Sequence, residues 1–147
     1  MSDLSMAGRT VLVTGASDGI GAETAKVLAA KGATVHVTGR SADKLRPIAE
    51  AVGTEPLVAD FARLDDVRRL AAEVGERVGS LDVLLNNAGG TFVPKHPTPD
   101  GHEPNFQVNH LSPFLLTNLL RPQLAAAGAA LVVNTSSIAN QIGRAHV

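Results

Sequence analysis

The sequence predicts an α/β protein, a doubly wound parallel sheet of about five strands, in a single domain over residues 1–147. Three observations lead there. Apolar, β-branched runs of strand length alternate with longer stretches of helical periodicity, the order that βαβ crossovers produce. The first two helical stretches stop at Gly32 and Gly53, residues suited to closing a helix. A glycine-rich turn joins the first strand-like run directly to the first helix.

The elements follow in order. Residues 9–14, around Thr10-Val11-Leu12-Val13, form the first strand. The helix over 19–31 places Ile20, Thr24, Val27 and Leu28 near one face. Residues 34–38 form the second strand, and Ser41 caps a helix in which Leu45, Ile48, Ala49 and Val52 recur at helical spacing. The third strand, 56–59, is short and apolar on both faces, as a buried parallel strand should be. A helix over 64–78 turns Leu64, Val67, Leu70, Ala71, Val74 and Val78 inward and its charges outward. The fourth strand spans 81–86 and the fifth 130–134. Between them, the proline- and glycine-rich stretch 89–101 is expected to be a surface loop. A long helix over 103–127 follows, interrupted and open to kinking at Pro113 and Pro122.

Composition narrows the partners. A chain of 147 residues can bury roughly two-thirds of its unfolded surface. With 44% hydrophobic and 18% charged residues it reads as soluble and globular, and a net charge of −1 offers nothing to nucleic acid or an anionic membrane. Cysteine is absent, which excludes disulfides and thiolate metal sites and fits the cytoplasm, where the protein is expected. The five histidines form no His-x-x-x-His pair, so no metal site is expected. The N-terminus lacks a basic region followed by an apolar core, and no apolar run is long enough to span a bilayer. Neither secretion nor a membrane span is expected. There is no tyrosine and no tryptophan.

In doubly wound sheets ligands bind at the carboxyl ends of the strands, so the residues leaving each strand carry the chemistry. After strand one comes Thr14-Gly-Ala-Ser-Asp-Gly-Ile-Gly21. Gly15 permits a tight turn, Gly19 keeps a Cβ away from a pyrophosphate, and Gly21 lets the helix pack closely. The helix that starts with Gly19, Ile20 and Gly21 points free N–H groups and its positive dipole end at the phosphates. Ser17 and Asp18 place polar groups beside that path, with local turn bonding as the alternative. Strand two ends at Arg40, where a carboxylate would grip the ribose of NAD; a guanidinium suits a 2′-phosphate, so NADP is expected, with NAD as the other option. A solvated surface charge is the plainer role for Arg40, and Asp18 places negative charge near that same phosphate. Strand three ends at Asp60-Phe61, where the acid can accept from an adenine amino group while Phe61 or its backbone borders the ring; Asp60 can also cap the next helix. Strand four opens into Asn86-Asn87-Ala88-Gly89-Gly90, whose amides tie loops together and whose glycines admit a ligand. Strand five ends in Asn134-Thr135-Ser136-Ser137, hydroxyls able to bind a carbonyl oxygen or simply to form a turn.

Taken together, the glycine turn, Asp60, Asn86-Asn-Ala-Gly89, Asn109 within Val-Asn-His-Leu, and Val133-Asn-Thr-Ser-Ser137 resemble the successive motifs of classical short-chain dehydrogenases/reductases. The stretch from Gly101 to Thr117 is especially similar to retinol-dehydrogenase-like members. The resemblance covers nearly the whole chain. It implies a Rossmann fold holding NAD(P), and hydride transfer between the nicotinamide and a small-molecule alcohol or carbonyl. It implies cofactor contacts from Gly15, Ser17, Asp18, Gly19, Ile20, Gly21, Arg40, Asp60, Phe61, Asn87, Ala88 and Gly89. It also implies that Asn109 supports a proton-relay water, that Ser137 positions the substrate oxygen, and that homo-oligomers are possible. The family's Tyr-x-x-x-Lys is missing, and His146 lacks the lysine partner a substitute would need. The chain is therefore expected to be the N-terminal portion of such an enzyme, ending after strand five and inactive alone; the alternative is a non-catalytic NADP-binding protein that senses cofactor or acts through a partner.

Overall fold

The computed structural model describes residues 5–93 and 96–137. Five parallel strands form one sheet in the order β3-β2-β1-β4-β5: β1 Thr10–Thr14, β2 Thr34–Gly39, β3 Leu57–Val58, β4 Val83–Asn86 and β5 Leu131–Asn134. Helices α1 (Gly19–Ala30) and α2 (Ala42–Val52) connect the strands that run outward from β1 to β3. Helix α3 (Leu64–Arg77) carries the chain back to β4, and the remaining helices carry it on to β5. Right-handed crossovers in opposite directions put the two sets of helices on opposite faces. This is the doubly wound Rossmann-like arrangement that the sequence predicts.

Strand alternation fills both faces. Val11 and Val13 point to one side with Val35, Val37, Ala25, Leu45 and Ala49; Leu12 points to the other with Leu84, Val67, Leu70, Val74, Leu116 and Leu120. Each of these side chains is at most 1% exposed. Burial of aliphatic groups on both faces of a parallel sheet is the main stabilising contribution, roughly 1.5–3 kcal/mol for each large side chain.

Two expectations change. The inward face of α1 is Gly21, Ala22 and Ala25, while Ile20 and Val27 are 73% and 52% exposed. The helix lies close to the sheet and the glycine turn, so only small side chains fit beneath it. The expected long helix over 103–127 is in fact four pieces. Its parts are α4 (Pro104–Phe106), a wide π-helical turn Gln107–Leu111, α5 (Ser112–Leu119) and α6 (Arg121–Ala126). In the wide turn Ser112 N–H bonds back five residues to the Gln107 carbonyl, and Pro113 lacks the N–H that would continue a regular ladder. The second break falls at Leu120, where Pro122 sits in the first turn of α6. Among the described residues no helix is long and apolar enough to cross a membrane.

Candidate functional site

Parallel strands share one carboxyl edge, and the chain reverses its direction across the sheet between β1 and β4. The glycine loop leaves β1 there. Gly15 takes φ +66°, and a Cβ on it would come within 2.7 Å of the Ala88 Cα. Gly19 takes φ +56° with open space where its Cβ would stand. Both need the left-handed region, and only the second leaves room for a ligand above it. Gly21 packs against the Gly15 carbonyl and the Asn87 amide, so its missing side chain draws α1 onto the loop itself.

The start of α1 is open. Asp18 precedes it in extended conformation and makes no side-chain cap bond. By contrast, Ser41 Oγ accepts the Lys44 N–H at the start of α2, and Asp100 Oδ2 accepts the Leu64 N–H at the start of α3. Free N–H groups at the positive end of a helix suit an anion. In the same loop the Ser17 hydroxyl is buried with no partner and lies against Gly39 at the end of β2. A buried hydroxyl without a partner is costly, and a phosphate- or ribose-bearing group at this loop would satisfy it. The residues present therefore fit a dinucleotide.

The loop is braced from behind. Thr14, fully buried at the end of β1, accepts the N–H groups of Asn87 and Ala88 at 3.0 and 2.9 Å and donates to the Leu85 carbonyl at 3.3 Å. Asn87 Nδ2 donates in return to the carbonyls of Thr14 and Gly15 at 3.1 and 3.3 Å. The Asn-Asn-Ala-Gly turn and the glycine loop thus form one unit. Asn86 locks β4 to its neighbours, donating to Asn134 Oδ1 at 2.9 Å and to Thr117 Oγ1 at 3.1 Å.

The end of β3 holds a correction. The Phe61 ring is only 6% exposed and belongs to the core between the sheet and α3, so it offers almost no surface to a ligand. Asp60 does not cap α3 either: its Oδ1 accepts the Ala62 N–H, and the residue before α3 is Arg63. The Asp60 N–H donates to Asp66 Oδ2, which, with Arg69 beside it, holds the Asp66 carboxyl below its ordinary range. Arg40 follows β2 and is exposed. Lys44 Nζ lies 3.8 Å from Asp18 Oδ2, placing an ammonium beside the carboxylate that the sequence set against a 2′-phosphate.

Asn109 sits in the wide turn, where its Oδ1 accepts the Gly90 N–H at 2.9 Å and its Nδ2 donates to the Gly90 carbonyl at 2.8 Å. Gly89 faces the same amide; a Cβ there would meet Asn109 Oδ1 at 2.8 Å. Ser137 is exposed, just beyond β5 on the same edge. Residues 138–147, with His146, lie outside the described residues.

Sequence reasoning missed the polar residues that fasten the loop over 89–101. Asn105 accepts the Phe92 N–H and donates to the Phe92 carbonyl, at 2.8 and 2.9 Å. Gln107, fully buried, accepts from Thr98 Oγ1 at 2.6 Å and donates to Asp100 at 2.8 Å. The only hint was three carboxamides at alternate positions, 105, 107 and 109, a spacing that a regular helix fans around its axis.

The comparisons with known proteins follow this geometry. Residues 9–147 match the family described as short chain dehydrogenase. The chain is 43% identical over 140 residues to a protein of Streptomyces sp. (strain C5) named as the daunorubicin C-13 ketoreductase DnrU, covering 91% of this chain and 48% of that protein. It is 39% identical to human retinol dehydrogenase 13, covering 97% of this chain and 45% of that protein. Thus it spans about half the length of the curated relatives it matches. Among solved structures, the Pseudomonas aeruginosa RhlG/NADP active-site complex superposes with a TM-score of 0.70 at 36% identity, covering 81% of this chain and 47% of that one. A match over nearly all of its length, on a parallel sheet whose glycine loop is braced by the Asn-Asn-Ala-Gly turn, shows that this chain belongs to the short-chain dehydrogenase family.

Proposed function

We propose that the chain binds NADP, with NAD as the weaker alternative, and that the protein it represents is an oxidoreductase acting on an alcohol or carbonyl. The open start of α1 beside the unpartnered Ser17 hydroxyl carries this reading. When bound, the cofactor supplies the hydride chemistry, moving it between the nicotinamide and the substrate carbon. The chain's residues do the rest. Gly19 and the first turn of α1 receive the pyrophosphate; Arg40 meets the 2′-phosphate, with Lys44 offsetting Asp18. Asp60 and the Phe61 backbone border the adenine, and Asn87 and Ala88 hold the loop in shape. Ser137 would orient the substrate oxygen, and Asn109, tied to Gly90, would support a proton-relay water. That RhlG is solved with NADP, and that the human relative is named for retinol, supports the cofactor and a lipophilic substrate. A cytoplasmic location fits the cysteine-free composition.

The test is a titration of the purified chain with NADPH and NADH, alongside an activity assay with a lipophilic ketone. Arg40→Ala is expected to lower the preference for NADPH by about tenfold, the order of one charge-assisted contact. An unchanged preference overturns the 2′-phosphate assignment, and measurable turnover by this chain overturns the expectation that it is inactive alone.

A further inference from the structure

The helical stretch that carries Asn109 also reaches the far end of the site. Gln107 and Ser112 are both fully buried. Ser112 Oγ donates to the Phe61 carbonyl at 2.6 Å, and Gln107 Nε2 donates to the same carbonyl at 3.4 Å as well as to Asp100 Oδ2 at 2.8 Å. That oxygen of Asp100 also accepts the Leu64 N–H at 2.9 Å, at the start of α3. The backbone N–H of Leu64 and the Gln107 amide together hold the Asp100 carboxyl below its ordinary range. The segment leaving β3 is therefore fixed by polar groups from the opposite side of the site. Gln107 and Ser112 lie in an otherwise apolar core with Val108 and Leu116, while Asp100 is exposed at its edge. Burying a carboxamide there gains little over a leucine of similar size, so what it adds is a fixed position for the backbone it holds.

We infer that Gln107 and Ser112 are positioning residues for the adenine end of the cofactor. They hold the Phe61 backbone and, through Asp100, the first turn of α3, so that the segment from Asp60 to Leu64 is formed before ligand arrives. One wide helical turn then sets both ends of the site, Asn109 at Gly90 and Gln107 at Phe61. The inference rests on the adenine assignment of Asp60 proposed above.

The test compares the full chain with Gln107→Leu and Ser112→Ala, well below their melting temperatures. Amide hydrogen exchange of the ligand-free proteins is read first, followed by calorimetric titration with 2′,5′-ADP and with NADPH. Gln107→Leu is expected to speed exchange at Ala62 and Leu64 by about tenfold while the β1 amides stay unchanged. It should also weaken 2′,5′-ADP and NADPH by one common factor, about five- to tenfold, because 2′,5′-ADP carries only the adenine half. Ser112→Ala, a smaller truncation, should move both readouts in the same direction, and decides the matter should Gln107→Leu not fold. Unchanged exchange in a folded variant overturns the inference, as does a loss of NADPH affinity without a loss for 2′,5′-ADP. If the unsubstituted chain binds no 2′,5′-ADP, the cofactor reading itself fails, and the adenine role of these residues with it.

Discussion

Single residues divide here by what a Cβ or a hydroxyl would touch. Gly15 and Gly19 share a left-handed backbone, yet only Gly15 has neighbours in the way, the Ala88 backbone at 2.7 Å. Gly19→Ala should therefore cost only the conformational strain, about 1 kcal/mol, while removing most NADPH binding. Gly15→Ala should destabilise the fold more, since Ala88 and the strand behind it must move. Urea unfolding and NADPH titration of the two variants separate the effects; equal losses of stability would contradict the difference in surroundings. Thr14 is a second case. Its hydroxyl accepts two backbone N–H groups, and Thr14→Val keeps the shape but leaves the Ala88 N–H without an acceptor, while the Asn87 N–H keeps the Leu85 carbonyl. A loss of about 2 kcal/mol is expected from the urea midpoint, along with weaker cofactor binding because the loop brace goes with it.

At the scale of elements, α1 shows how packing distance overrules hydrophobicity. Ile20 and Val27 point outward, Leu28 is half-buried at the margin of the core, and the small residues Gly21, Ala22 and Ala25 point in. Ala25→Leu is expected to cost about 1–3 kcal/mol by overpacking the space against the sheet. Ile20→Ser should change stability by less than about 0.5 kcal/mol, because that side chain is already in solvent. Thermal melts of the pair test this; a larger loss at Ile20 would place the buried face where the sequence pattern put it. The wide turn over Gln107–Leu111 makes the related point about helices. Its extra residue is what allows Asn105, Gln107 and Asn109 all to reach the 89–101 loop, which α-helical spacing would not.

Across the whole molecule, the foot of the sheet depends on one carboxylate. Asp82 accepts the Thr10 N–H at 2.9 Å and the Arg9 guanidinium at 2.7 Å, and its carbonyl accepts the Leu131 N–H at 2.8 Å, so β1, β4 and β5 meet there. The Thr10 N–H, with Arg9, lowers its pKa in the folded state. A carboxyl that ionises more readily when folded contributes stability above its unfolded value, about 4, and that contribution is lost as pH falls through the lower folded value. Asp82→Asn should therefore flatten the acid side of the stability profile below about pH 4 relative to the parent, and parallel profiles from urea midpoints would refute it.

The five strands and their connections, the glycine loop and the asparagine turn were legible because each is a local pattern: alternation, turn glycines and residues at strand ends. Which face α1 buries, that the Phe61 ring joins the core, and that Gln107 and Asp100 hold the segment after β3 were decided only in three dimensions. Each depends on what a distant segment brings alongside. Asn87 meets Thr14 across 73 residues of chain and Gln107 meets Phe61 across 46, and no periodicity within either segment encodes the other's distance. The sequence by itself determined that the chain folds as a parallel α/β sheet with a dinucleotide loop, since propensity and pattern act over a few residues. The tertiary structure decided which side chains face that loop and which hold it, since packing distance and hydrogen-bond geometry exist only once the sheet has closed.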